Sequence, residues 1–378
     1  MLFSRAPKTR REDFYDRDRE LGMLYRGIHA GEGLIVVYGV RRIGKTSFVR
    51  VGLTELDVPF LFIDLRRYAE NPSLLSPQVI GKAIMDFLKK LDKLKTLRGT
   101  LHSIMEYIES MDLGIELGGI KVRRARREDR LLTSVLEEVD RWARRRGTRL
   151  VIVLDEAQEL RVIPAWRRIL AWSIDSLEHV TFVVTGSEIG VLNEFLRLQE
   201  AESPLFGRPR LEILLERFSR DQSIDYLQRG FSEAKLPATM EEIEDAVDTL
   251  DGIVGWLSYY GYYRTTYGLA HRDALKRLEE DAKNLLAREL EKLVKHSPRR
   301  YLAILTAITR GLRTWSDIKH YAEGLVGRIP DSKYDRLLHN LVKYSFVEKT
   351  PSREYRVVDP LLPQALEELK KRYWASSS

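Results

Sequence analysis

The sequence predicts a doubly wound α/β core, then a helical domain, then a C-terminal winged helix. Three observations predict this order. Five short β-rich runs alternate with helical patterns up to about residue 217. Helix signals then continue without a strand to Lys343. Two short strands follow near the end, as in a wing. At 378 residues the chain has room for two or three domains, at about 150 residues each. The expected boundaries are 1–217, 218–296 and 297–378.

The first helix can be capped by Asp16 or Asp18 and runs through Arg26 to an end near Gly27. Gly31-Glu32-Gly33 turns the chain into Leu34-Ile35-Val36-Val37-Tyr38. A continuous apolar run of this kind suits a strand buried on both faces of a parallel sheet. Further strands are expected at 60–65, 150–154, 181–185 and 211–215, with a helix at 77–91. The stretch 113–122 (LGIELGGIKV) alternates around Gly118-Gly119 and reads as an inserted hairpin.

After Arg217, Ser219 with Gln222 and Thr239 with Glu242 form two capping-box pairs. Gly252 ends the second of these helices. Trp256, Tyr259, Tyr260, Tyr262, Tyr263 and Tyr267 suit the core of a helical domain, although such rings also stack on bases. A charged helix at 272–295 leads to helices at 301–309, 315–322 and 332–343, the last capped by Asp331. Strands at 346–349 and 354–358 meet at Thr350-Pro351-Ser352, giving three helices and a wing.

The chain has no cysteine, which excludes disulfides, thiolate metal sites and cysteine nucleophiles. Its seven His show no paired spacing for a transition metal. The N-terminal segment lacks the apolar core of a signal peptide. No apolar run approaches about 18 residues, so no membrane span and a cytoplasmic location are expected. Net charge is +7. From Ser297 to Ser378, 15 Lys and Arg stand against 9 Asp and Glu, so most of the excess lies in the last fifth of the chain. A second cluster is Lys121, Arg123, Arg124, Arg126 and Arg127. Both fit an acidic partner such as nucleic acid, or a solvated, ion-pair-rich surface.

The strand ending at Tyr38 runs into Gly39-Val40-Arg41-Arg42-Ile43-Gly44-Lys45-Thr46-Ser47 and then an apolar helix start. This is GxxxxGK[ST] between strand and helix, a phosphate-binding loop. Glycines let backbone N–H groups approach phosphates. The helix N-terminus adds free donors and a positive dipole end. Lys45 reaches the β- and γ-phosphates, and the Thr46 hydroxyl coordinates Mg²⁺. The candidate binding set is Gly39, Arg42, Ile43, Gly44, Lys45, Thr46 and Ser47. The third strand ends Leu154-Asp155-Glu156. Asp155 would hold Mg²⁺ with Thr46, and Glu156 would orient or deprotonate an attacking water. The fourth strand ends Thr185-Gly186-Ser187, where Ser187, or Thr185, is placed to sense the γ-phosphate. Arg208, before the fifth strand, could reach a neighbouring subunit's γ-phosphate as an arginine finger.

The order FYDRDREL, GVRRIGKTS, VLDEAQEL, TGSEIG, PLFGR resembles the archaeal ATPase family of the AAA+/STAND class of P-loop NTPases. It is more distantly similar to archaeal origin-recognition initiators. The resemblance implies a P-loop core, a helical lid and a winged helix. It implies Arg17 near the adenine, Lys45 and Thr46 as Walker A, Asp155 and Glu156 as Walker B, Ser187 as sensor and Arg208 as the family's arginine before strand five. ATP over GTP rests on it as well. Val254 stands where the family's lid carries a proline, which weakens the expected lid–nucleotide contact.

ATP, ADP and Mg²⁺ are therefore the expected ligands, and hydrolysis of ATP to ADP and phosphate the expected reaction. The partner stays open between DNA and protein or self-association. For DNA the candidate contacts are Lys333, Arg336 and Lys343 on the third winged-helix segment, and Arg353 and Arg356 at the wing.

Overall fold

Strands that are apolar at every position need cover on both faces, and a parallel sheet between helices supplies it. The computed structural model describes residues 1–68, 75–91 and 121–374. Five parallel strands take the order β2-β3-β4-β1-β5. They are β1 (Leu34–Tyr38), β2 (Phe60–Asp64), β3 (Leu150–Asp155), β4 (Val180–Gly186) and β5 (Leu211–Leu214). All residues of β1, β3 and β4 are buried. Alternate side chains divide between two cores. Val36, Ile152, Leu154, Phe182 and Val184 face one way, and Ile35, Val37, Val151, Val153 and Val183 the other.

The first core is covered by α3 (Pro77–Leu91), α4 (Lys121–Arg145) and α5 (Ala165–Ser176), and the second by α1 (Asp18–Ala30) and α2 (Lys45–Glu55). A further helix, α6 (Ile189–Leu196), follows β4. α1 runs past the expected end at Gly27 and stops at Gly31, which is left-handed at φ 83°. Gly27 is a packing residue: an added Cβ would lie 2.6 Å from Leu211. Neither Asp16 nor Asp18 is the cap; Arg17 precedes the helix at φ 69°. Of the expected hairpin, residues 113–120 lie outside the described residues, and Lys121 and Val122 open α4 instead.

Four helices form the lid: α7 (Arg220–Glu233), α8 (Met240–Leu250), α9 (Val254–Thr266) and α10 (His271–Val294). Both capping boxes are present, each stabilising its helix by about 1 kcal/mol. Of the six aromatics, Trp256, Tyr260 and Tyr263 on α9 are core, buried with edge-on neighbours. Tyr259 and Tyr262 are partly buried, and Tyr267, past the end of the helix, is exposed. The winged helix comprises α11 (Pro298–Thr309), α12 (Trp315–Val326), α13 (Asp331–Lys343), β6 (Val347–Lys349) and β7 (Tyr355–Val357). Asp331 is the first helical residue of α13 and not its cap, which is Pro330. An unexpected helix, α14 (Leu362–Trp374), packs on α10 and α11. Lid and winged helix thereby share one apolar cluster from Phe218 to Leu369. Among the described residues no helix is long and apolar enough to cross a membrane.

Candidate functional site

β1 lies between β4 and β5, with Tyr38 level with Gly186 and Leu214. The loops after β1, β3 and β4 therefore open on one rim of the sheet, where α/β sheets bind ligands. The loop 39–44 turns through Arg42 at φ 64° and Gly44 at φ 93°. A Cβ at Gly44 would be strained, so this position favours glycine. No side chain caps α2, which leaves its first-turn amides for a ligand. Lys45 is buried, and its Nζ donates to the Gly39 and Val40 carbonyls at 2.8 and 2.9 Å. Burial lowers its pKa from the ordinary value, against the pull of Glu156 and Asp155.

Thr46 Oγ1 donates to Asp155 Oδ2 at 3.0 Å. Thr185 Oγ1 donates to Asp155 Oδ1 at 2.5 Å and accepts from the Glu156 amide at 3.2 Å. Burial raises the Asp155 pKa, opposed by the Thr185 hydrogen bond. The pair of hard oxygens on Thr46 and Asp155 suits Mg²⁺, which takes one or two protein ligands and completes its shell with phosphate and water.

Glu156 sits at φ 60°, one residue beyond the strand. Its Oε2 accepts from Ser187 Oγ at 2.6 Å, Ser187 N at 3.0 Å and Gln158 Nε2 at 2.7 Å. Burial alone would push this carboxyl up. The Lys45 ammonium and the Ser187 and Gln158 hydrogen bonds outweigh burial and hold it at about 2. A depressed carboxylate stabilises the fold above its unfolded value of 4.5, and this is lost as pH falls through about 2. The melting-temperature difference between wild type and Glu156→Gln is expected to stay flat from about pH 8 to about pH 5 and to shrink below that. A difference that changes between pH 6 and 8 would place the titration elsewhere.

The loop borders a cavity of about 320 Å³, lined by Arg17, Gly44, Lys45, Thr46, Phe218 and Val254, among others. Arg17 is buried, donates to the Glu216 carbonyl and lies 4.8 Å over the Phe218 ring. Val254 Cγ1 lies 3.4 Å from where a Gly44 Cβ would stand. A second cavity of about 1010 Å³ shares Arg42, Arg66, Glu156 and Tyr259 with the first.

Three parts were missed in the sequence. The N-terminal strap is one: Lys8 N donates to Ser47 Oγ at 3.0 Å, while Leu2 and Phe3 are buried in the lid. Gly230 and Gly261 make room for Phe3, whose ring would lie 2.1 and 2.3 Å from added Cβ atoms. Gln158 and Arg66 are the others. Asp64 pairs with Asp155 in the β2–β3 register, so placing β2 beside β3 would have pointed to Arg66.

Arg208 is not brought to this chain's site. It precedes β5, at the rim opposite the loop, and its guanidinium pairs with Asp175 at 2.6 Å. Lys333, Arg336 and Lys343 border the larger cavity, and Arg336 is exposed. Lys343 pairs with Glu194 of α6. Arg353 and Arg356 at the wing are exposed.

Residues 14–259 match a family described as an ATPase domain predominantly from Archaea. The chain belongs to this archaeal ATPase family. Residues 295–358 match the C-terminal winged helix-turn-helix domain of MCM proteins. The Walker-type ATPase of Pyrococcus abyssi is 32% identical and superposes with a TM-score of 0.76, covering 97% of this chain and 100% of its own. The ADP form of the ORC2 protein of Aeropyrum pernix has a TM-score of 0.51 at 14% identity, covering 100% and 98%. No curated protein sequence matches. As an archaeal ATPase, the chain has the expected P-loop core and C-terminal winged helix.

Proposed function

We propose that this archaeal ATPase is a Mg²⁺-dependent, ATP-hydrolysing switch that couples its nucleotide site to the winged helix and acts on DNA. Gly39, Arg42, Ile43, Gly44, Lys45, Thr46 and Ser47 would hold the phosphates, with Arg17 on the base side. Thr46 and Asp155 would hold Mg²⁺, which neutralises phosphate charge. Glu156, fixed by Ser187 and Gln158, orients water toward the γ-phosphate. Any role for Arg208 is in trans, at a neighbour's site.

The observation that carries the switch is the fate of the two loop arginines. Arg41 donates to the Tyr344 carbonyl at 2.8 Å and to Glu188 at 2.5 Å, and lies 5.0 Å over Phe346. Arg42 pairs with Glu289 at 2.7 Å and Asp359 at 3.4 Å, and lies 4.5 Å over Trp256. The phosphate loop thus grips lid and winged helix directly. A change of loop conformation on binding ATP pulls on both.

A second reading, a STAND-type signalling switch with protein partners, is favoured by the Lys343–Glu194 pair that docks the end of α13 on α6. Titration of labelled duplex DNA at two salt concentrations, with ADP or a non-hydrolysable ATP analogue and Mg²⁺, separates them. DNA action predicts tighter binding in the ATP state, weakening steeply with salt. Arg41→Ala with Arg42→Ala should raise DNA affinity in the ADP state by about tenfold, as about 1.4 kcal/mol of docking is lost. Binding indifferent to salt and nucleotide would turn the assignment to a protein partner.

A further inference from the structure

Resting on the ATPase reading, we propose that Arg66 is a catalytic arginine acting in cis, contacting the γ-phosphoryl group of ATP bound to the same chain. Phosphoryl transfer spreads negative charge over the equatorial oxygens of the moving group, and an arginine there contributes heavily to rate. The residue expected for this, Arg208, is at the opposite rim and forked onto Asp175. Of the arginines at the site, Arg41 and Arg42 are held by Glu188, Glu289, Asp359 and a winged-helix carbonyl. Arg17 is bound on the Phe218 side.

Arg66 is placed differently. It lies one residue past Leu65, in the 3-10 turn that follows β2. Asp64 grips it from below, Oδ1 accepting from Nε at 3.0 Å and Oδ2 from Nη2 at 3.2 Å. This two-point grip aims the planar guanidinium. Its Nη2 stands 3.7 Å from Asp155 Oδ2, the same oxygen that accepts from Thr46. Arg66 borders both the phosphate-loop cavity and the larger one, at the Glu156 side where they meet. The carboxylate partners of Arg41 and Arg42 lie in the lid, in the winged helix and on the loop after β4. Among the described residues, Arg66 is held only by its neighbour Asp64 and by Asp155 at the proposed Mg²⁺ position. With its side chain 56% exposed, it can exchange Asp155 for a γ-phosphate held by Lys45.

In the reaction, the water oxygen bonds to Pγ as the bridging Pγ–O bond to ADP breaks. The water proton passes to the Glu156 carboxylate. Arg66 donates N–H groups to the oxygens of the transferring phosphoryl group, and no redox partner is involved. The second strand of the sheet therefore supplies a part that the trans arginine would otherwise have to bring.

The test is steady-state ATP turnover by the full chain with Mg²⁺, at several protein concentrations. Arg66→Ala and Arg66→Gln should each lower kcat about 10³-fold, with ADP affinity within about threefold of wild type. Arg66→Lys should not restore it, since an ammonium cannot reproduce the fork. Arg66→Ala and Arg66→Gln should also lose about tenfold or more in affinity for ADP with aluminium fluoride, a mimic of the transferring group. Turnover per chain should not rise with protein concentration. Turnover unchanged in both Arg66→Ala and Arg66→Gln, or turnover per chain that rises with protein concentration, overturns the assignment to Arg66. A wild-type chain that binds ATP without hydrolysing it sinks the ATPase reading instead; the aluminium fluoride affinities then decide Arg66 separately.

Discussion

Glu156→Gln is expected to lower ATP turnover by about 10²–10³-fold while ATP affinity stays within a few-fold of wild type. Glutamine keeps the shape and still accepts from Ser187 and Gln158, so the local backbone, left-handed at Glu156, should hold. It removes the negative charge proposed to orient the water and take its proton. The carboxylate sits at about 2, so it is ionised throughout the assay range and acts through charge and position, as a weak base. The loss should therefore appear in kcat and not in KM. Single-turnover quench measurements beside a binding isotherm separate the two. Unchanged turnover would remove Glu156 from the mechanism and leave the water to another group.

Phe3→Ala should destabilise the lid by about 3 kcal/mol and also weaken nucleotide binding. The ring is buried between Tyr226 and Phe231 at centroid distances of 5.7 and 5.1 Å, and two glycines leave the space it fills. Alanine leaves a cavity that helix backbones cannot easily close. The binding effect follows from the strap. Leu2 accepts from the Tyr226 hydroxyl at 2.9 Å, and five residues after Phe3 the chain reaches Ser47. Loosening the lid end frees the segment that walls the nucleotide cavity. Scanning calorimetry with and without nucleotide reads both effects. A melting temperature within about 1 °C of wild type, with unchanged affinity, would show that the strap is ornamental.

The sheet was legible because β1 and residues 150–154 of β3 are unbroken apolar runs, the other strands are short and β-rich, and the phosphate loop announces its own setting. Walker A and B residues follow from local spacing, and the structure brings Lys45, Thr46, Asp155, Glu156 and Ser187 together. What the sequence hid is non-local. Nothing near Phe3 says that it fills a gap made by Gly230 and Gly261, more than 200 residues away. Arg66 lies beside Asp155 only through strand pairing. Arg41 looked like a phosphate-loop residue, and its partner is a carbonyl at Tyr344. Gly27 looked like a helix terminator because a glycine that stops a helix and one that admits a neighbour read alike in one dimension. The contact of α13 with α6 through Lys343 and Glu194 is likewise a matter of docking, which periodicity does not encode.

The apolar cluster running from the lid through the winged helix has a mechanical meaning. Separating these two would uncover a continuous hydrophobic seam, whereas parting either from the sheet breaks mainly ion pairs such as Arg42–Asp359 and Lys343–Glu194. Lid and winged helix thus pack as one arm, joined to the nucleotide core by the short link around Arg217 and by the N-terminal segment of chain that crosses over to it.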